Sequence, residues 1–368
     1  MIIMALDHVR DFFHRQAMFF SPEDLAHTTP AIFFTRWITH FCAPVFMFTA
    51  GLGAFYFMQS GRSAGKVSDF LWKRGLWLVV LELTVLRFAM FLSLTSNPVF
   101  LTVLWALGWS MVVLSFLIHL PLRLLGVISI AVIVMHNLTD PLKAAQFGAL
   151  GWLWKILHEG GAIKLGSVVV IVGYPLIPWF AVMAAGFCFG PVMKLEPARR
   201  RPIIFRTGLG MTISFVLLRG INLYGDPRPW TTALSFLRCN KYPPSLDYLL
   251  MTLGPALLVL ALFEKCTFSK LNPLIVFGRT PLFFFLGHFL LAHLLAFPLA
   301  ALRYSRVGFL WHTLPTLGGD AKLYPTDYGY SLSEVYLLWT LVVVLMYPLC
   351  LWYGRKKLER APWWLRYL

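Results

Sequence analysis

The sequence predicts an all-α fold, namely a polytopic integral membrane helix bundle with about ten transmembrane helices. Of the 368 residues, 58% are hydrophobic and only 13% are charged, whereas ordinary globular chains carry about 25% charged residues. Apolar stretches of about 20 residues, the length that a helix needs to cross the hydrocarbon core, recur along the chain. We therefore expect a single transmembrane domain over residues 1–368, surrounded by the lipid bilayer, and a soluble globular protein is excluded.

Hydropathy and helix breakers place the individual spans. Each apolar run is interrupted by Gly, Pro or charged residues, which mark the loops between helices. The expected spans are residues 1–20, 31–58, 75–92, 99–118, 122–138, 166–190, 207–222, 246–263, 274–302 and 334–353. The longer segments 139–165, 223–245 and 303–333 show no strand or helix period and are expected to be irregular caps.

The distribution of Lys and Arg orients these spans. The net charge is +16, from 32 Lys and Arg against 16 Asp and Glu. Basic residues concentrate around positions 62–74, 123, 194–206, 265–270 and 355–366, and they are sparser in the three long segments. Because Lys and Arg are retained on the cytoplasmic side, this pattern predicts that both termini are cytoplasmic. The same placement argues against nucleic-acid binding.

Several well-known chemical motifs do not occur in the sequence. It has no GxxxxGK[ST], HExxH or GxSxG motif, so ATP-driven transport, zincin proteolysis and serine hydrolysis through these motifs lose support. Its five cysteines form no CxxC pair and no evident disulfide framework. We expect no metal cofactor.

The first predicted span contains ionisable residues, which are costly inside a bilayer. Asp7, Asp11 and His14 share one helical face, and His8 pairs by spacing with Asp11. A carboxylate beside an imidazole fixes the tautomer and raises the basicity of the ring, as a general base requires. The span therefore either supplies Asp7, His8 and Asp11 to a catalytic site or is an interfacial helix end that dips into the headgroups.

Two further histidines lie at mid-membrane depth in other predicted spans. His40 lies in the second span and His288 near the middle of the ninth. A lone histidine on an apolar helix is more often a packed, hydrogen-bonded residue than a catalyst. However, three helices can bring His8, His40 and His288 to one depth, which favours proton handling there.

Candidate binding residues lie closer to the two membrane faces. On the outer side, Lys241, Tyr242 and Ser245 precede the eighth span and offer donors to a polar substrate, although the segment also resembles an ordinary turn. Arg36 opens the second span and is either a substrate-binding cation or an interface anchor. On the cytoplasmic side, Arg279 either meets a phosphate or reaches to the interface.

Four motifs carry a resemblance to a known family. The chain resembles the bacterial branch of the heparan-α-glucosaminide N-acetyltransferase-like membrane acyltransferases over nearly its whole length. The motifs are Met4-Ala5-Leu6-Asp7-His8-Val9-Arg10-Asp11-Phe12-Phe13, Pro44-x-Phe46-x-Phe48-x-x-Gly51, Lys241-Tyr242-Pro243-Pro244-Ser245-Leu246, and Gly278-Arg279-Thr280-Pro281-Leu282 through Gly287-His288-Phe289.

This resemblance implies a single transmembrane acyltransferase-like domain in a bacterial inner membrane. The best-known family member moves an acetyl group from cytoplasmic acetyl-CoA to a glucosamine amine on the far side, using an essential histidine. The resemblance implies acetyl-CoA or another acyl-CoA as co-substrate, a sugar or glycan acceptor, and CoA-phosphate docking at the basic loops, with Arg200 and Arg201, together with Arg279. A homo-oligomer is one alternative for the assembly.

The sequence departs from the family pattern in two places. The polar stretch that usually opens the first helix is missing before Met1, so either a truncated start or a different closure of the cytoplasmic mouth is expected. The family's active-site histidine has no gap-free match, and His14, His27 and His40 are all candidates.

Two other functional classes compete with the acyltransferase. A transporter or lipid-linked glycan flippase would use buried charges equally well, but should show paired broken helices in matching halves of the sequence, which are not found. A non-catalytic partner in cell-envelope assembly would be favoured only if the histidines and carboxylates were dispensable. Acyl-CoA bound to the purified protein would distinguish the acyltransferase from both.

Overall fold

The computed structural model describes residues 1–358 and is mostly helical, with 71% of residues in helices. The basic residues beyond Leu358 that contributed to the predicted orientation lie outside the described residues. The α-helices are α1 (Ile2–Phe13), α2 (Pro30–Trp37), α3 (Cys42–Gln59), α4 (Ala64–Leu81), α5 (Arg87–Phe91), α6 (Val103–Leu117), α7 (Leu122–Met135), α8 (Gly151–Trp154), α9 (Trp179–Met193), α10 (Pro197–Ile221), α11 (Ala233–Leu237), α12 (Leu246–Phe263), α13 (Pro273–Arg279), α14 (Pro281–Tyr304) and α15 (Leu332–Leu358).

The membrane class of the fold is confirmed, because the described residues include six helical segments long and apolar enough to cross a bilayer. The apolar helices α6 and α9 are shorter than this length. The predicted count of about ten spans is therefore not confirmed. The six segments are Pro30–Gln59, Leu122–Thr139, Pro197–Ile221, Leu246–Phe263, Pro281–Tyr304 and Leu332–Lys357.

A small sheet corrects the all-helical prediction. Strands β1 (Val99–Leu101), β2 (Gly161–Leu165) and β3 (Val168–Val172) form it in the order β1-β3-β2, with β1 parallel and β2 antiparallel to β3. The predicted span 166–190 begins with β3 because its β-branched run favours a strand and Gly166 supplies the positive φ of the hairpin turn. Two segments that were predicted to be irregular contain regular structure. Segment 139–165 contains β2, and segment 223–245 contains α11.

Two predicted spans also end or break earlier than expected. The first helix stops at Phe13, and His14 continues in an extended conformation, bridged to Tyr330. The predicted span 274–302 consists of α13 and α14, which meet at Thr280. Pro281 causes this break, because proline has no amide hydrogen and disfavours a helical residue before it.

The described chain forms two compact units. Unit 1 contains Met1–Cys42, Thr84–Ser96 and the chain from Thr267 onward, and in it α1 packs against α14 and α15. Unit 2 contains Ala43–Leu83 and Asn97–Cys266, and its main helix pairs are α10 with α12 and α4 with α6. The expectation of one domain over residues 1–368 stays a prediction.

Two glycines allow α10 and α12 of unit 2 to pack closely. A Cβ atom at Gly208 would lie 2.8 Å from the carbonyl oxygen of Gly254, and one at Gly254 would lie 2.7 Å from the hydroxyl of Thr212. Small residues at such positions let the backbones of membrane helices approach each other. The two helices therefore form a closely packed pair in unit 2.

Candidate active site

Helix α1 in unit 1 carries the polar motif of the candidate site. The helix is anchored near its start by Trp339, whose indole nitrogen donates to the carbonyl of Ile2 (2.8 Å), and at its end by Tyr328, whose hydroxyl donates to the carbonyl of Phe12 (3.0 Å). Eight of its twelve residues are buried, and its neighbours are α14 and α15. These contacts hold the helix and its ionisable side chains in one orientation.

The structure brings His8 of α1 and His288 of α14 together. His8 Nδ1 lies 2.6 Å from His288 Nε2, and the two rings stack with centroids 4.9 Å apart. Phe289 covers the His8 ring at 4.0 Å. His288 is fully buried, whereas His8 is half-buried. Two residues 280 positions apart in sequence, both predicted to be catalytic, thus form one pair.

A backbone carbonyl determines which nitrogen atoms of this pair carry hydrogen. His288 Nδ1 lies 2.8 Å from the carbonyl oxygen of Phe284, which can only accept a hydrogen bond. In a neutral pair, His288 therefore donates from Nδ1, its Nε2 accepts, and His8 must donate from Nδ1. The lone pair of neutral His8 is then on Nε2. The pair consequently offers one imidazole base whose tautomer is set by the other ring.

The predicted carboxylates are bound to guanidinium groups. Asp7 forms ion pairs with Arg36 and with Arg10 (3.0 Å), and Asp11 accepts from Arg10 at 2.6 Å. The charges of the two carboxylates and the two guanidiniums cancel. Burying the group therefore costs less free energy than burying an isolated ion. The predicted substrate contact Arg36 thus lies within the same group of residues as Asp7 and Asp11.

Arg10 is a candidate functional residue that the sequence analysis did not select. Its side chain is 4% exposed, and Nη2 contacts both carboxylates. Its Nε and Nη1 are buried and have no hydrogen-bond partner among the described residues. Buried guanidinium donors are normally satisfied, so these two nitrogens suit a polarised oxygen or an anion. The available signal was an arginine between two aspartates in an apolar helix.

The other histidine candidates have different surroundings. His40 is buried, and its Nε2 lies 3.1 Å from a carboxylate oxygen of Glu23. His14 is 1% exposed at the end of α1, and His27 is exposed and paired with Asp24 at 2.7 Å. The carboxylate of Glu23 is close enough to form an ion pair with His40 when the imidazole is protonated. The catalytic role of His40 stays a prediction.

The predicted acceptor loop lies in unit 2. Lys241 is buried, and its ammonium lies 5.2 Å from the ring centroid of Tyr242, which is 42% exposed. Ser245 is buried and caps α12 by accepting from the amide of Tyr248 at 3.1 Å. Serine is a preferred N-cap residue, and this hydrogen bond gives the Ser245 hydroxyl a structural role at the start of the helix. Substrate binding by these three residues stays a prediction.

Polar residues at the end of α7 hold this loop. His136 Nε2 lies 2.8 Å from the carbonyl oxygen of Pro244, and Asn137 accepts from the amide of Leu246 at 2.9 Å. Asn137 also donates to Asp140, which accepts from His158 at 2.9 Å. Burial alone would raise the pKa of the Asp140 carboxyl, but these hydrogen bonds hold that pKa below its ordinary value. The loop is thus fixed by side chains.

The predicted phosphate-binding arginines differ in environment. Arg279 is exposed at the end of α13 in unit 1. In unit 2, Arg200 is paired with Glu264 at 2.6 Å, and Arg201 donates from Nε to the carbonyl of Ala261 at 3.1 Å. Of these three arginines, only Arg279 is exposed and has no hydrogen-bond or ion-pair partner among the described residues. CoA binding by these arginines stays a prediction.

Helices that could span a membrane and a contacting pair of histidines indicate a membrane protein with a candidate catalytic site. Residues 3–224, more than half of the chain, match the family model described as "Heparan-alpha-glucosaminide N-acetyltransferase, catalytic". The chain belongs to this family, as the motifs predicted, and is an integral membrane protein. The match includes Asp7, His8 and Asp11, whereas His288 lies beyond it. No curated protein and no solved structure matches the chain at a significant level.

Proposed function

We propose that this protein is a membrane acyltransferase that moves an acyl group, most simply acetyl, from cytoplasmic acyl-CoA to an amine or hydroxyl of an extracytoplasmic sugar or glycan. Family membership supports the acetyltransferase class. The observation that carries the proposal is the contact of His8 with His288, because it provides a half-buried imidazole base in a defined tautomer.

The proposed reaction is a direct acyl transfer. The acceptor nitrogen or oxygen attacks the thioester carbonyl and loses its proton to His8 Nε2, with His288 holding the His8 ring. The tetrahedral oxyanion is stabilised by the Nε and Nη1 donors of Arg10. The carbon–sulfur bond then breaks, and the proton on His8 passes to the leaving CoA thiolate. Asp7, Asp11 and Arg36 keep Arg10 oriented and balance its charge.

The test is free CoA release by the full chain in liposomes. Acyl-CoA is supplied outside vesicles in which the predicted cytoplasmic face points outward, and an amino sugar or glycan is enclosed. Thioester cleavage that depends on the enclosed acceptor, together with acylated acceptor inside, supports the proposal. Acceptor movement without any thioester cleavage would instead identify a transporter or flippase.

The CoA-docking part of the proposal rests on Arg279. CoA phosphates need guanidinium or ammonium partners, and the exposed Arg279 offers one on the predicted cytoplasmic side. We expect Arg279→Ala to weaken acyl-CoA binding by about five- to tenfold, and the affinity of the wild type to fall with added salt. Equilibrium binding of radiolabelled acyl-CoA measures both.

The matched control is Lys270→Ala, which removes another exposed cation near the same helix of unit 1. It should leave the affinity unchanged if Arg279 makes a specific phosphate contact. Equal loss in both variants would mean that only the general surface charge matters. Unchanged affinity in Arg279→Ala would leave Arg279 as an interface anchor.

The topology that we propose has about ten spans with both termini in the cytoplasm of a bacterial inner membrane. In this topology Lys164 and Arg199 lie on opposite sides of the membrane. The short helix α9 between them must therefore cross the bilayer. Both residues are exposed. In a cysteine-free background, we expect an impermeant maleimide added outside to label Lys164→Cys and not Arg199→Cys. Labelling of both from one side would show that α9 does not span, and the reversed pattern would invert the orientation.

A further inference from the structure

A cavity outside the histidine site lies in unit 2 at the start of α10 and the end of α12. Its volume is about 500 Å³, and its lining includes Pro202, Phe205, Arg201, Leu262 and Lys265. The cavity therefore combines two cationic side chains with apolar walls, and both helices are long enough to span a membrane.

The two cations of this cavity are available for an anion. Arg201 is oriented by the bond from its Nε to the carbonyl of Ala261 (3.1 Å), and within residues 1–358 its two terminal nitrogens have no recorded acceptor. The ammonium of Lys265 likewise has no recorded acceptor in that part of the chain. Glu264 also lines the cavity, but its carboxylate is paired with Arg200 at 2.6 Å, so the charges of Arg201 and Lys265 still exceed that of the lining carboxylate. A phosphate ester fits this charge pattern.

The apolar walls distinguish a lipid from a soluble phosphate. Phe205 is 45% exposed and Leu262 is 57% exposed, and both lie on the walls of the cavity. The apolar lining thus continues onto the outer surface of α10 and α12, where acyl chains would extend. The volume suits a headgroup and the first part of its chains, because drug-sized ligands occupy cavities of about 300–1,000 Å³.

We propose that this cavity binds the headgroup of an anionic phospholipid, with Arg201 and Lys265 at the phosphate and Phe205 and Leu262 along the acyl chains. Basic pockets at the cytoplasmic ends of membrane helices bind anionic headgroups by this chemistry. The site is separate from the proposed acyl transfer and assigns to Arg201 a lipid phosphate in place of a CoA phosphate. Arg279 remains the proposed CoA contact.

The test measures lipid retention by the full chain. The protein is reconstituted in nanodiscs of phosphatidylcholine with a minor fraction of phosphatidylglycerol, extracted in mild detergent, and its bound lipids are quantified by mass spectrometry. We expect phosphatidylglycerol to be enriched on the wild type. The double variant Arg201→Gln, Lys265→Gln should lower this enrichment by roughly thirtyfold, since two cations near the surface contribute about 1 kcal/mol each.

Two further variants make the result specific. Arg199→Gln with Arg206→Gln removes two exposed cations of α10 that do not line the cavity, and it should retain the enrichment. Ala198→Trp fills the cavity while keeping both cations, and it should lose the enrichment with acyl-CoA binding unchanged. Equal loss in the Arg199 and Arg206 variant, or full retention in the Arg201 and Lys265 variant, would overturn the proposal.

A separate arm distinguishes the lipid from CoA. Acyl-CoA is titrated into delipidated wild type and into the Arg201 and Lys265 variant. Equal acyl-CoA affinity is expected, because the lipid site and the CoA site are different. If the variant loses acyl-CoA affinity and the wild type shows no phosphatidylglycerol enrichment, the cavity takes the CoA phosphate, and the lipid assignment is wrong while the proposed acyl transfer stands.

Discussion

His8→Ala is expected to reduce the turnover of acyl transfer by roughly 10²–10⁴, because a general base contributes about this factor in the transition state. Acyl-CoA affinity should remain nearly unchanged, since the base acts on the acceptor proton and not on docking. The measurement is acceptor-dependent CoA release in liposomes, with acyl-CoA binding measured separately. His312→Ala, which removes an exposed histidine in unit 1, is the matched control and should keep wild-type turnover.

His288 acts through His8 and is a positioning residue in this scheme. We expect His288→Ala to lower kcat less than His8→Ala does and to change the pH profile of kcat, because the His8 tautomer is no longer set by the contact at 2.6 Å. A merely structural role would lower the amount of folded protein without changing the pH profile of the remainder. Thioester cleavage that survives both substitutions would remove the catalytic role of the pair.

Arg10→Gln is expected to lower kcat by about 10²–10³, the usual cost of losing one oxyanion donor. The single variant also leaves the half-buried Asp11 without its cation, and we expect it to lose less than the about 3–5 kcal/mol that an unpaired, fully buried charge costs. The double variant Arg10→Gln, Asp11→Asn restores the charge balance, since Asp7 keeps its ion pair with Arg36. Its kcat should remain low although its thermal stability recovers.

Two controls accompany this experiment. Asp11→Asn alone should retain most of the activity if Asp11 only orients Arg10, and Arg15→Gln, which removes an exposed arginine just after α1, should be silent. Recovery of wild-type kcat in the double variant would show that Arg10 serves only to neutralise the aspartates. The oxyanion role would then be abandoned.

Much of the candidate site was predictable from local chemistry. Ionisable residues in apolar segments are costly, so Asp7, His8 and Asp11 were identifiable in the first helix, and His288 in another. Their pairing was not predictable, because spacing relates residues of one helix and does not report which ring of a distant helix meets them. The spacing argument assigned Asp11 to His8, whereas in the structure Asp11 binds Arg10.

The features of the fold likewise divide into those that the sequence determined and those that only the tertiary structure decided. Composition and the length of apolar runs determined the membrane class, and the motifs determined the family. The β-branched run and Gly166 favour a hairpin strand at the start of the apolar run 166–190. Only tertiary structure decided that this strand, β3, also pairs with β1, a partner about 70 residues earlier that hydropathy does not identify. It also decided that the lone pair of neutral His8 lies on Nε2, because His8 Nδ1 meets His288 Nε2 only after α1 and α14 have packed together. The carbonyl of Phe284, within α14 itself, sets the tautomer of His288.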